Sequence, residues 1–169
     1  MLAWPGLGAE PPAPHISSFD DLVALTLSRI TTPLDVVAQS MGGYIAVKVA
    51  LAAPEKVRRL VLTVTSGGVP VQDLGGANWR DDYFASFPGA ARWIGNPVDD
   101  LSDRLVELTI PTLLIWGDAD PISPVSVGQR LQNLLPDAHL HILPGGGHDL
   151  AQTHAAEVAA LIAAHLRQP

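Results

Sequence analysis

Leu34-Asp35-Val36-Val37-Ala38-Gln39-Ser40-Met41-Gly42-Gly43-Tyr44 decides how this chain folds. The run Leu34 to Ala38 reads as a strand and Tyr44 to Ala53 as a helix, joined by a sharp turn with Ser40 at its tip. A serine hydroxyl is a poor nucleophile at neutral pH. Chemistry at such a residue needs the hydroxyl lifted clear of the sheet, a base, and a place for the oxyanion. A strand-turn-helix junction meets these needs. The turn forces strained backbone angles on Ser40, and the small residues Ala38, Gly42 and Gly43 let helix and strand approach closely. The amide of Met41, at the helix start, points at developing negative charge. An ordinary strand-to-helix turn with a helix-capping serine fits the same six residues, so the rest of the chain must decide.

Composition narrows the field. The chain has 169 residues, 47% of them hydrophobic and 16% charged, which suits one globular domain with its own core. A net charge of -7, with no basic cluster larger than Arg58-Arg59, argues against nucleic acid or an anionic membrane as partner. Small molecules or proteins are left. Without cysteine there is no disulfide framework, thiolate catalysis or Cys-ligated zinc. No apolar stretch reaches the ~18 residues of a membrane span, and the amino terminus has no leader pattern, so a cytoplasmic location is expected.

In chain order, Met1 to Trp4 reads as a strand remnant running into Pro5-Gly6-Leu7-Gly8 and a proline-rich loop. Ser17 or Ser18 can cap a helix Phe19 to Ile30 that buries Phe19, Leu22, Val23 and Ile30. After the strand Leu34 to Ala38 comes a helix to about Ala53, stopped by Pro54, then a buried strand Leu60 to Val64. Further on, Thr112 to Trp116 is a strand, Val125 to Leu135 a helix, His139 to Leu143 a strand, and Ala155 to Leu166 a closing amphipathic helix. Alternation of this kind predicts a mostly parallel sheet between helices, a three-layer αβα sandwich.

Residues 66–108 interrupt the pattern with Gly, Pro and Asp around short helical pieces. They hold Trp79, Tyr83, Phe84, Phe87 and Trp93. Such an insertion between two strands is a candidate lid within the single domain 1–169, with Trp79 and Phe84 as candidate substrate-binding residues; a connection that merely buries its own aromatics is the alternative.

Three loops fall at the carboxyl ends of successive strands, where open parallel sheets carry their sites. They hold Ser40, then Gly117-Asp118-Ala119-Asp120-Pro121, then Gly145-Gly146-Gly147-His148. This order of Ser, Asp and His resembles the triad of the α/β-hydrolase superfamily, and the resemblance covers essentially the whole chain. The stretch Ile110 to Pro124, Ile-Pro-Thr-Leu-Leu-Ile-Trp-Gly-Asp-Ala-Asp-Pro-Ile-Ser-Pro, is similar to its lipase, esterase, lactonase and C–C hydrolase branch. The resemblance implies a catalytic triad of Ser40, Asp120 and His148, with Met41 as an oxyanion donor and no cofactor. Asp120 rather than Asp118 matches the family's acid position, leaving Asp118 to brace the turn. The glycines before His148 allow the bend that swings its ring over Ser40.

The other histidines carry less. His139 and His141 share one face of a strand but have no third ligand nearby, so no metal site is expected. His154 and His165 read as helix surface or core edge, His15 as loop, and Asp149 as a residue at a helix start.

The family's His-Gly-type loop, which supplies a second oxyanion donor, has no counterpart in this sequence, and the match begins at the family's fourth strand. An amino-terminally reduced fold is therefore expected. Loss of one donor costs about 2.7–4 kcal/mol of transition-state stabilisation. The strand Leu34 to Ala38 then becomes an apolar edge, which predicts a homo-oligomer paired through that edge, or Met1 to Trp4 folded over it. Two function classes follow. One is a serine hydrolase, esterase-like, acting on a small ester, thioester or lactone; the other is a catalytically impaired binding or assembly protein of the same fold, or a truncated fragment that needs the missing strands.

Overall fold

Strands β1 (Leu34–Gln39), β2 (Val57–Thr63), β3 (Thr112–Gly117) and β4 (Ala138–Leu143) form one sheet in the order β1-β2-β3-β4. Every neighbouring pair is parallel, in a computed structural model that describes residues 4–168. Parallel neighbours require crossovers. Helix α2 (Met41–Ala52) links β1 to β2, and α4 (Val125–Leu134) links β3 to β4. Helix α1 (Phe19–Arg29) precedes the sheet, α3 (Arg80–Ser86) lies between β2 and β3, and α5 (Leu150–Thr153) and α6 (Ala155–Leu166) close the chain. Helix α2 packs on β1 and β2, α4 on β3 and β4, and α6 on β3. The result is a parallel sheet with helices on both sides.

Burial follows position in the sheet. All of β3 is buried, as is β2 from Leu60 onward, so these two strands make the floor of the core. The outer strands alternate instead: Val37 on β1 is 51% exposed and Ile142 on β4 43%. Strand β1 is thus an edge, and among the described residues it pairs with β2 alone. The expected strand Met1 to Trp4 falls, for Met1 to Ala3, outside the described residues. Trp4 itself is irregular, its carbonyl accepting from Leu7 N in a turn.

Local chemistry explains the element ends. Ser18 Oγ accepts from Asp21 N at 3.2 Å, while the Asp21 carboxylate accepts from Ser17 N and Ser17 Oγ, so both serines serve the start of α1. Leu22, Val23 and Ile30 are buried, and half-buried Phe19 meets Tyr44 and Trp93 edge-on. Helix α2 ends at Ala52, where Pro54 opens a short 3-10 turn. The closing helix runs Ala155–Leu166, with the extra turn α5 ahead of it, separated at His154. His165, near the end of α6, is buried, and that burial lowers its pKa from the usual imidazole value.

Residues 66–108 carry α3 and several single 3-10 turns. The segment is tied down on two sides. Ala77 N donates to Pro121 O at 2.7 Å, while Tyr83 Oη accepts from Gly8 N at 2.7 Å and Ala91 N donates to Gly6 O at 2.9 Å. Among the described residues no helix is long and apolar enough to cross a membrane.

Candidate active site

Ser40 stands between β1 and α2 with φ 51°, one of two non-glycine residues at positive φ among those described. The other is Val64, at the end of neighbouring β2, and Ser40 N donates to the carbonyl of Thr63 beside it at 3.0 Å. The strain expected at the elbow is present. It is stored where strand ends and side chains leave the backbone no softer solution. Close approach of helix to strand rests on one glycine: a Cβ on Gly43 would come within 2.6 Å of Thr65 Cβ, whereas Gly42 has Ala38 Cβ as its nearest neighbour at 3.9 Å. Gly43, not Gly42, is where the helix presses in.

Ser40 Oγ lies 2.8 Å from His148 Nε2, and His148 Nδ1 lies 2.8 Å from Asp120 Oδ2. An ionised carboxylate only accepts, so the imidazole proton sits on Nδ1, and Nε2 is left to accept from the serine hydroxyl. Asp120 is 4% exposed. Its other oxygen, Oδ1, accepts from Ile122 N at 2.8 Å and Ser123 N at 3.2 Å, which compensates the charge that burial leaves without water. Met41 is the first residue of α2, so its amide has no acceptor within the helix and lies at the positive end of the helix dipole beside Ser40.

Asp118, the other acidic candidate, points elsewhere: its Oδ1 accepts from Gly145 N at 2.6 Å and braces the loop that carries His148. Of the three glycines in that loop only Gly145 has a positive φ, 71°. Gly146 serves packing, because a Cβ on Gly117 would come within 2.7 Å of its Cα and closer still to its carbonyl.

Trp79 and Phe84 both stack edge-on against Tyr83 in the aromatic cluster of α3, and Arg92 lies over the Phe84 ring. A cavity of about 170 Å³ opens between the start of α1, α2 and the 93–99 stretch, with Phe19, Tyr44, Lys48 and Trp93 in its wall. Sequence reading did not single out Tyr44, whose Oη accepts from Asp99 N at 3.3 Å in that wall, to which none of Ser40, Asp120 and His148 belongs. Nor did it find Ser123, whose buried hydroxyl accepts from Trp116 Nε1 at 3.3 Å and donates to Thr65 O at 3.1 Å, fixing the Asp120 loop to the sheet. His139 and His141 are exposed on β4, and among the described residues no group of three or more His, Asp or Glu is placed to hold a metal.

A family model described as "alpha/beta hydrolase fold" matches residues 66–155. A 2-hydroxy-6-oxononadienedioate/2-hydroxy-6-oxononatrienedioate hydrolase of Cupriavidus pinatubonensis is 28% identical over an alignment covering 92% of this chain and 71% of that protein. A pimeloyl-[acyl-carrier protein] methyl ester esterase of Neisseria meningitidis is 27% identical, with coverages of 94% and 81%. In fold, the chain is similar to an esterase from Exiguobacterium antarcticum, with a TM-score of 0.77 at 16% identity over 98% of this chain and 80% of that one.

Proposed function

This chain belongs to the alpha/beta hydrolase fold family, and on that premise we propose that it is a serine hydrolase acting on a small carboxylic ester, thioester or lactone. The two curated relatives named above are, by their names, a hydrolase and an esterase. The observation that carries the finer reading is the unbroken hydrogen-bonded line from Ser40 through His148 to Asp120, with 2.8 Å at each step. Ser40 Oγ attacks the substrate carbonyl carbon as its proton passes to His148 Nε2. Asp120 stabilises the imidazolium and holds its tautomer, and the Met41 amide meets the oxyanion. Collapse breaks the bond to the leaving group, which takes the proton from Nε2 and leaves an acyl-Ser40. Water then adds to that ester with His148 again as base, releasing the acid and restoring the hydroxyl.

A panel of p-nitrophenyl esters of increasing chain length tests this reading. The chain is expected to hydrolyse them with a burst of p-nitrophenolate equal to the enzyme present; turnover that survives removal of the Ser40 hydroxyl would sink the reading. In the same panel we propose that the 66–108 segment acts as the lid. Trp79→Ala or Phe84→Ala is then expected to shift the preference between short and long acyl chains by about 1–3 kcal/mol, or roughly 10–200-fold. Their melting temperatures should move little. A large stability loss with unchanged preference would return both residues to a purely packing role.

We also propose that the open edge of β1 takes a second copy of the chain. Its outer backbone groups have no strand partner among the described residues, and Val37 is 51% exposed there with no lysine or internal proline to blunt pairing. Light scattering at micromolar concentration should give about twice the 17.8 kDa chain mass. A strictly monomeric species would overturn the pairing.

A further inference from the structure

Ser40 and His148 come from opposite ends of the sheet. Ser40 follows β1 and His148 follows β4, three strand spacings apart, about 14 Å at the usual interstrand distance. The loop after β4 must cross the top of the sheet, and three successive glycines give its backbone little stiffness of its own. Its near end is bonded to the end of β3. Gly145 N donates to Asp118 Oδ1 at 2.6 Å, and Ala119 N donates to Gly146 O at 3.0 Å.

The far end has a different anchor. Gln39 is the last residue of β1, immediately before Ser40, and its Nε2 donates to the backbone oxygen of His148 at 2.9 Å. That bond ties the nucleophile strand directly to the backbone of the residue carrying the imidazole, 109 positions away. Asp120 and Ser40 hold only the ring. Once Ser40 is acylated its Oγ has no proton to donate, so the ring is gripped from the Asp120 side alone. The Gln39 amide is neutral and bonds a backbone carbonyl, so its hold is the same at every stage of the reaction.

We propose that Gln39 is a positioning residue, whose side-chain amide pins the His148 backbone so that Nε2 stays on Ser40 Oγ through the cycle. This rests on the serine hydrolase reading, and it assigns Gln39 no contact with substrate. The requirement is for a donor at this reach. Gln39→Glu would keep the length of the side chain but set a carboxylate oxygen against the carbonyl, and Gln39→Ala would leave the carbonyl without this donor.

Three variants separate these roles: Gln39→Ala and Gln39→Glu, which remove the donor, and Gln39→Arg, which keeps one. Two measurements are made on each, the rate of labelling by a fluorophosphonate probe and the amide hydrogen exchange of residues 145–149. Labelling is expected to slow about tenfold for Ala and Glu and to recover to within about twofold of wild type for Arg, since misplacement of a catalytic group lowers rate without unfolding the protein. With p-nitrophenyl acetate the loss should fall on kcat and leave KM unchanged. Loop exchange should quicken in the Ala and Glu variants only. Wild-type labelling and exchange in Gln39→Glu would overturn the proposal, because shape without a donor would then suffice. Quickened exchange in both donor-less variants, in a protein the probe never labels at Ser40, would keep the tie and sink the hydrolase reading instead.

Discussion

A fluorophosphonate probe is expected to label Ser40 and no other serine. Among the described serines, only Ser40 combines an elbow backbone at φ 51° with an imidazole nitrogen 2.8 Å from its hydroxyl. Peptide mapping after labelling checks the position. Ser40→Ala should abolish the adduct, and His148→Ala should slow labelling by about 10⁶-fold, since nucleophile and base act as one unit. Asp120→Asn should cost about 10⁴-fold, because an amide beside Nδ1 can donate and so favours the tautomer with its proton on the wrong nitrogen. Asp118→Asn should label at close to the wild-type rate, since asparagine keeps an oxygen for Gly145 N. A severe loss in the Asp118 variant with a mild one in the Asp120 variant would exchange their assignments. Labelling at a different serine would remove Ser40 from the nucleophile role.

The second large effect is expected at a residue that touches neither substrate nor triad side chain. Gly117 ends β3, and a methyl group there would run into the backbone of Gly146, whose Cα would be 2.7 Å away and whose carbonyl would be nearer still. Backbone on both sides leaves no flexible side chain to give way. Gly117→Ala must therefore push the loop carrying His148 off the sheet. Overpacking of this kind costs about 1–3 kcal/mol of stability, which for a chain of this size is a few degrees of melting temperature per kcal/mol, about 2–4 °C. Activity should suffer more than stability, because a shift of about 1 Å in a catalytic group can cost about 100-fold in rate. Gly89→Ala is the control, since nothing lies within 4 Å of a Cβ at that exposed position. If Gly117→Ala labelled as fast as wild type, the close contact between β3 and the glycine loop would have no part in setting His148.

Two details show where local and tertiary information part. The stop of α2 before Pro54 and the capping serines of α1 are written in adjacent residues, because a missing amide hydrogen or a short hydroxyl acts within one turn of helix. The roles of Gly42, Gly43 and the glycines before His148 are not. Identical residues in one run do different work according to what lies across from them. Gly43 faces Thr65 too closely for any side chain, Gly42 has room for one beside Ala38, Gly145 supplies a positive φ, and Gly146 lies under Gly117. In the same way Asp118, expected to brace its own turn, braces a loop that is distant in sequence.

By itself, then, the sequence determined the alternation of strand and helix, the parallel sheet, the elbow with Ser40 at its tip, and the three strand-end loops that hold Ser40, the pair Asp118 and Asp120, and His148. All of these follow from periodicity and from Gly and Pro punctuation, which act over a few residues. Only the tertiary structure decided which glycine admits the helix, how far Val37 on the β1 edge is exposed, and that Ser123 and Gln39 hold the acid and histidine loops in place. Those contacts join positions 58 and 109 apart for the two side-chain bonds. Their reason is packing: such a bond forms only when the strand order has brought two chain ends within about 3 Å, and no local pattern in either segment encodes the other.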